Sequence, residues 1–216
     1  MMPKVEITDL TVHYRNSNAT VHALDNIEFW LKENESVGIA GESGCGKTTL
    51  GVSIMRKVQG GDIISGKIVL DGENILEMSD SEFDKNIRWK KISMVFQGAM
   101  NALDPVFTIQ QQFNEILKQH DFSGDFNKTV QDAINAVNLD NTVLKKYPHE
   151  LSGGMKQRLV IAMALLLKPK FVVADEPTTA LDVLIQAQII NLLKNLKKKG
   201  MSLMLISHDL AVLSEI

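Results

Sequence analysis

Cysteine is almost missing from this sequence: Cys45 is the only one in 216 residues. A lone thiol excludes an internal disulfide and fits a reducing compartment. Long apolar runs are missing too, since none reaches the ~18 residues that a membrane span requires. Met1-Met2-Pro3-Lys4 leads into no apolar signal region, so any membrane connection is expected to run through a partner. There is no excess of charge of one sign. A formal net charge of -3 excludes the basic footprint of a nucleic-acid-binding domain, and no nucleic-acid partner is expected. The one basic cluster, Lys197-Lys198-Lys199, reads as a solvated helix end, where the helix dipole favours cations. Internal repeats and low-complexity segments are also absent.

What is present is ordinary for a globular chain: 44% hydrophobic and 23% charged residues. That length supports one large domain with a core, or a domain plus a subdomain. The first third reads as strands. Ile27, Phe29 and Leu31 alternate, as do Ile68 and Leu70, with Gly60-Gly61 as a turn. Val5 and Ile7 begin an alternation that Leu10 and Val12 continue out of phase, which predicts a bulge. These segments predict an antiparallel sheet.

From Ser36 the pattern changes. Val37 to Ala40, Ile92 to Phe96, Phe171 to Ala174 and Leu203 to Ile206 are short continuous apolar runs. Strands of that kind are buried on both faces of a parallel sheet covered by helices. Leu50, Ile54, Met55 and Val58 recur with the helical period, as do Ile185, Ile189, Leu192, Leu193 and Leu196, and Gly200 can cap the second helix. Residues from about 98 to 168 read as a helical insertion between two core strands. Its helices are expected around Phe113 to Leu117, around Val130 to Val137, and from Gly153 to Leu167 before Pro169.

Three motifs carry chemistry. Gly41-Glu42-Ser43-Gly44-Cys45-Gly46-Lys47-Thr48 fits GxxxxGK[ST] between a predicted strand and a predicted helix. Glycines let the backbone turn N–H groups onto phosphate oxygens, and the helix adds its positive end. Lys47 should reach the β- and γ-phosphates of ATP, Thr48 should face Mg2+, and Thr49 can add a phosphate contact. Cys45 fills a free position as a small residue. Asp175-Glu176 ends an apolar strand: Asp175 can join the magnesium shell and Glu176 can polarise a water, the bland alternative being two acids in a surface turn. Leu151-Ser152-Gly153-Gly154-Met155 opens an apolar helix. It is either a simple cap or a second anion-binding helix terminus, one that serves a partner's nucleotide.

In this order the motifs resemble the nucleotide-binding subunits of ATP-binding cassette transporters, and the resemblance covers essentially the whole chain. Gln97 matches that family's Q-loop, Ser152 to Gly154 its signature, and Asp175-Glu176 its Walker B and catalytic glutamate. Ala180-Leu181-Asp182 matches its D-loop, and Ser207-His208-Asp209 its switch histidine. Tyr14 stands where the family stacks an aromatic residue on adenine, or is an ordinary strand tyrosine. Tyr147 to Met155, Asp175 to Val183 and Asn101 to Ile109 are similar to the peptide/nickel importer subgroup, where Met at position 155 is common. The resemblance implies an α/β P-loop NTPase. Its mainly parallel core sheet would carry an N-terminal antiparallel β subdomain and the inserted helical subdomain. It also implies ATP and Mg2+ as ligands, with Thr48, Gln97 and Asp175 around the metal and Glu176, His208 and Gln97 in catalysis.

The expected partners are transmembrane permease subunits, a second ATPase subunit (identical or paralogous) packed head to tail, and indirectly a solute-binding protein, all at the cytoplasmic face of the cell membrane. A non-transport cassette ATPase or a catalytically weak regulatory partner are the alternatives. Family members continue beyond the switch histidine, so a chain of residues 1–216 is expected to be a truncated cassette. His13, His22, His120 and His149 match no catalytic role and read as surface or structural residues.

Overall fold

The computed structural model describes residues 4–15, 19–179 and 181–215. Its N-terminal part is a four-stranded antiparallel sheet made of β1 (Val5–Arg15), β2 (Thr20–Leu31), β4 (Gly61–Leu70) and β5 (Glu73–Asn74), in the order β2-β1-β4-β5. The predicted bulge is present. The pairing of β1 shifts register between Ile7 and Leu10, and Asp9 takes φ 50°. The shift keeps Val5, Ile7, Leu10 and Val12 all fully buried on one face. Gly66 makes the bulge possible: it has φ 104°, and a Cβ there would stand 2.6 Å from the Leu10 Cα.

The second sheet is parallel, made of β3 (Ser36–Ile39), β6 (Ile92–Val95), β7 (Phe171–Asp175) and β8 (Ser202–Ile206), in the order β3-β8-β7-β6. It lies between two cores. Phe171, Val173, Met204 and Ile206 point to the antiparallel sheet and α1 (Lys47–Ile54). Val172, Ala174, Leu203 and Leu205 point the other way, to α5 (Gly153–Leu165) and α6 (Val183–Lys198). Successive side chains of a strand face opposite sides, so a strand with a core on each side must be apolar throughout. Each such side chain contributes about 1.5–3 kcal/mol by its burial.

Two expectations need correction. The strand from Val37 is not buried on both faces. It is one of the two outer strands of its sheet, and its Val37 and Ile39 are half-buried while β6 at the other edge is buried throughout; α7 (Leu210–Ser214) approaches it through Leu213 beside Gly38. The helix after Lys47 does not reach Val58. It stops at Ile54, where Lys57 N–H bonds back to the Val52 carbonyl around a left-handed Arg56, a Schellman-type end. Arg56 tolerates that backbone because its guanidinium donates to the Ile75 and Met78 carbonyls. It also sits over the ring of Phe83, on α2 (Asp80–Asn86).

Between β6 and β7 the chain forms α3 (Ile109–Gln119), α4 (Phe126–Ala136) and α5, with one 3-10 turn before α3 and two between α4 and α5. Phe113, Leu117, Val130 and Ile134 bury their stripes in the core that α5 shares. Among the described residues, no helix is long and apolar enough to cross a membrane.

Candidate functional site

The C-terminal ends of the four parallel strands carry nearly all the singled-out residues. Gly41 to Thr48 follows β3, Gln97 follows β6, Asp175 ends β7 with Glu176 directly after it, and Ser207-His208 follows β8. Ligands of open α/β sheets bind at this edge. The loop after β3 turns through Gly44 (φ 83°) and Gly46 (φ 93°). Gly46 is the N-cap of α1, and a Cβ on it would meet the Ala23 carbonyl at 2.4 Å. No side chain caps α1, and its first turn carries no acid. Its N–H groups and the positive end of its dipole therefore stay open to an anion.

Glu42, Ser43, Gly44 and Cys45 are exposed around that opening, and Thr48 is exposed with them. Lys47 Nζ folds back to donate to the Gly41 and Glu42 carbonyls at 2.7 and 2.6 Å, so the ammonium waits inside the loop's own curve. Thr49, by contrast, is buried behind the loop, with its hydroxyl 3.4 Å from the Tyr14 hydroxyl. Tyr14 is half-buried and lies against Gly61.

Asp175 is 1% exposed, and neither carboxylate oxygen has a hydrogen-bond partner. Burial pushes its pKa above the ordinary value, and Glu176 adds to this. Thr48 and Lys47 pull the other way, the Thr48 hydroxyl lying close by without the geometry of a hydrogen bond. A buried carboxylate with two unpaired oxygens suits a cation better than it suits solitude.

Glu176 is its opposite. It takes φ 45°, its N–H extends the strand ladder to the Ile206 carbonyl, and its carboxylate is held at three points. Gln97 Nε2 donates to Oε2 at 3.0 Å, Thr179 Oγ1 donates to Oε2 at 2.8 Å, and His208 Nδ1 pairs with Oε1 at 2.8 Å. Burial raises the Glu176 pKa, but the bonds from His208 and Thr179 and the charges of His208 and Lys47 outweigh it and leave the carboxyl below its ordinary value. A non-glycine residue in the left-handed region costs about 1–3 kcal/mol and clusters at functional sites.

Ser152, Gly153 and Gly154 stand apart. Among the described residues, no hydrogen bond links them to the loop of Lys47. Ser152 caps α5 by accepting from the Met155 N–H at 3.3 Å, and Ser152 and Gly153 are exposed. Gly154 serves the packing of two helices, since a Cβ there would stand 2.8 Å from Ile185 of α6. Ala180 lies outside the described residues, while Asp182 caps α6 through the Ile185 N–H. The four other histidines lie elsewhere. His13 and His22 pair across β1 and β2, His120 leans on Trp89, and His149 stacks on Tyr147. Sequence reading missed Thr179 and Gln157. Gln157 is buried and donates to the Pro177 carbonyl at 2.7 Å. No periodicity marks either residue, and the one local cue is Pro177, which favours a turn just after Glu176.

A parallel sheet with a glycine-rich loop between β3 and α1, and carboxylates at the end of β7 with one strand between the two, is the fold of the P-loop NTPases. Within that class the chain belongs to the ABC transporter family, whose model matches residues 24–179. The oligopeptide transport ATP-binding protein AppD of Bacillus subtilis (strain 168) is 39% identical over 100% of this chain and 67% of its own length. The probable peptide ABC transporter ATP-binding protein y4tR of Sinorhizobium fredii is 39% identical over 98% of this chain. This chain spans 65% of the length of y4tR. Among solved structures, the dimeric ATP-binding cassette MJ0796 in a post-hydrolysis state with ADP and Pi superposes with a TM-score of 0.84. It is 30% identical over 98% of this chain and 90% of its own.

Proposed function

We propose that this chain is the ATP-hydrolysing subunit of a membrane importer for oligopeptides or dipeptides. The observation that carries the reading is the pairing at the end of β7. A buried, unpartnered Asp175 stands beside a three-point-anchored Glu176, both at the sheet edge that carries the open α1 terminus. The names of its relatives, peptide transport ATP-binding proteins, supply the cargo class.

In this reading the γ-phosphate of ATP lies at the α1 N-terminus. Lys47 exchanges its two carbonyl partners for the β- and γ-phosphate oxygens, which carry full charge and bind it more strongly. Backbone N–H groups from Gly41, Ser43, Gly44, Cys45, Gly46, Thr48 and Thr49 complete the cradle, and Tyr14 stacks on adenine. Asp175, Thr48 and Gln97 would hold Mg2+, which supplies charge neutralisation on the phosphates. Glu176 orients the attacking water and draws its proton as the new P–O bond forms. The bond from the γ-phosphorus to the bridging oxygen breaks, and His208 steadies the charge that develops on the phosphoryl oxygens.

Among the described residues the exposed terminus at Ser152-Gly153 makes no bond to its own loop, so in this reading the second half of the site comes from another subunit packed head to tail; the similar cassette MJ0796 is itself dimeric. The permease docks on an apolar groove between the sheet and the helical insertion, lined by Phe96, Leu103, Phe107, Ile116 and Met163. Phe96 and Phe107 are 44% and 48% exposed there. Gln97 lies one residue from Phe96, so docking and chemistry share one loop. The chain then sits peripherally on the cytoplasmic side, and a solute-binding protein meets it only through the permease.

Replacing Glu176 by Gln tests the assignment. Turnover should fall by roughly 10²- to 10⁴-fold, the usual worth of a positioned base, while ATP affinity persists. Wild-type phosphate release from that variant would sink the catalytic reading.

A further inference from the structure

We infer that Thr179 is a positioning residue for Glu176, the contact that keeps its carboxylate aimed once the other two let go. The inference rests on Glu176 acting on water as proposed above. Pro177 follows Glu176 in the chain, and the Thr179 N–H closes a turn on the Glu176 carbonyl at 3.2 Å. The turn brings the Thr179 hydroxyl back to Oε2 at 2.8 Å. Two helices pin it from behind. Gln157 of α5 donates to the Pro177 carbonyl at 2.7 Å, and Gln186 of α6 donates to the Thr178 carbonyl at 3.3 Å, with Thr178 itself buried. The hydroxyl therefore has a fixed origin in the same loop as the group it holds.

The other two anchors lack that fixity. Gln97 and His208 come from the ends of different strands, and both have a second duty at the bound nucleotide. When they turn to it, the Glu176 carboxylate loses two of its three contacts. An ionised carboxylate offers about four lone-pair directions, and those freed by Gln97 and His208 become available to water. Thr179 keeps one direction on Oε2 occupied. It thereby limits rotation of a side chain whose backbone already holds φ 45°. Positioning of this kind acts on the reacting geometry and not on ATP affinity.

The test compares three variants of the full chain by steady-state phosphate release and by equilibrium binding of ATP. Thr179→Val keeps the shape and removes the donor. It should lower kcat by roughly 10- to 100-fold, the scale of one hydrogen bond to a charged group, and leave KM and ATP affinity within about twofold. Thr179→Ser restores the donor and should recover kcat to within about threefold of wild type. Wild-type kcat in Thr179→Val overturns the inference. So does a Thr179→Ser variant as slow as the valine, or a loss of ATP affinity that matches the loss of kcat, because either marks a packing role. Glu176→Gln is the control: if it is inactive while Thr179→Val is fully active, only the role of Thr179 falls. If it retains full turnover, the reading of Glu176 falls first and Thr179 with it.

Discussion

Asp175→Asn should make the ligand-free protein more stable and the loaded protein less so. Asp175 is 1% exposed with both oxygens unpartnered. A buried group left unsatisfied costs about 1–3 kcal/mol, and more when it is charged. Asparagine keeps the volume and removes the charge that burial opposes. Its amide still lacks partners, so the gain is a part of the charged penalty, and ~1–3 kcal/mol is the scale to expect. For a domain of this size each kcal/mol moves Tm by roughly 2–4 °C, so the variant should melt about 2–12 °C above wild type without divalent cations. Adding ATP with Mg2+ reverses the order. A ligand at a hundred times its Kd stabilises the wild type by about 2.7 kcal/mol, and the variant should forfeit most of the magnesium-dependent part. The assay is calorimetric melting of both proteins in a chelator and then with ATP and Mg2+. A variant that melts at or below wild type in the chelator would refute the reasoning, because Asp175 would then not be an uncompensated charge awaiting a cation.

Other outcomes follow from the same structure. Tyr14→Ala should weaken ATP binding by roughly 1–3 kcal/mol if the ring stacks on adenine. Tyr14→Phe should bind nearly as wild type, since it gives up only the 3.4 Å contact with Thr49; equal affinity in the alanine variant would leave Tyr14 an ordinary strand residue. Gly66→Ala should destabilise by about 1–3 kcal/mol in urea unfolding, because φ 104° and the 2.6 Å approach to Leu10 leave no room for a methyl. His120 is held below its ordinary value of 6.5 by burial, with Lys90 adding to it. The unfolded chain therefore takes up a proton first as pH falls below about 6.5, and stability should decline from there until the lowered folded value is passed. His120→Gln should flatten that part of the curve, as thermal melts across the range would show.

Sequence reading and structure parted where contacts between distant segments decide. The bulge between Ile7 and Leu10 was legible because the change of hydrophobic phase is local. The helix from Lys47 looked longer than it is, because Val58 keeps the period while the tertiary anchors of Arg56 end the helix at Ile54. Val37 to Ala40 looked buried because its residues are apolar, but how far an outer strand is covered depends on what packs over it: β6 at the other edge is buried throughout and β3 only in part. Gly154 reads as part of an anion site, and the structure adds a packing role that its sequence neighbours do not reveal, the close approach of α5 to Ile185 of α6. Gln157 gave no signal and Thr179 only the turn cue of Pro177, since what each one bonds to is not encoded in composition or periodicity.

By itself the sequence determined the local devices. The spacing from Gly41 to Thr48 sets the left-handed turns and the uncapped start of α1, because a tight loop and a helix end are built from neighbours in the chain. The apolar runs at Ile92, Phe171 and Leu203 set the buried parallel strands β6, β7 and β8, because a strand between two cores has no polar face. Only the tertiary structure decided what those devices amount to. It aligned the ends of β3, β6, β7 and β8, which set Gln97 and His208 on the carboxylate that a local turn already joins to Thr179, and left Asp175 beside it with no hydrogen-bond partner. It also left Ser152 exposed and capping its own helix. Both results come from strand order and helix packing, which join residues far apart in the chain and are fixed by the burial of two cores at once.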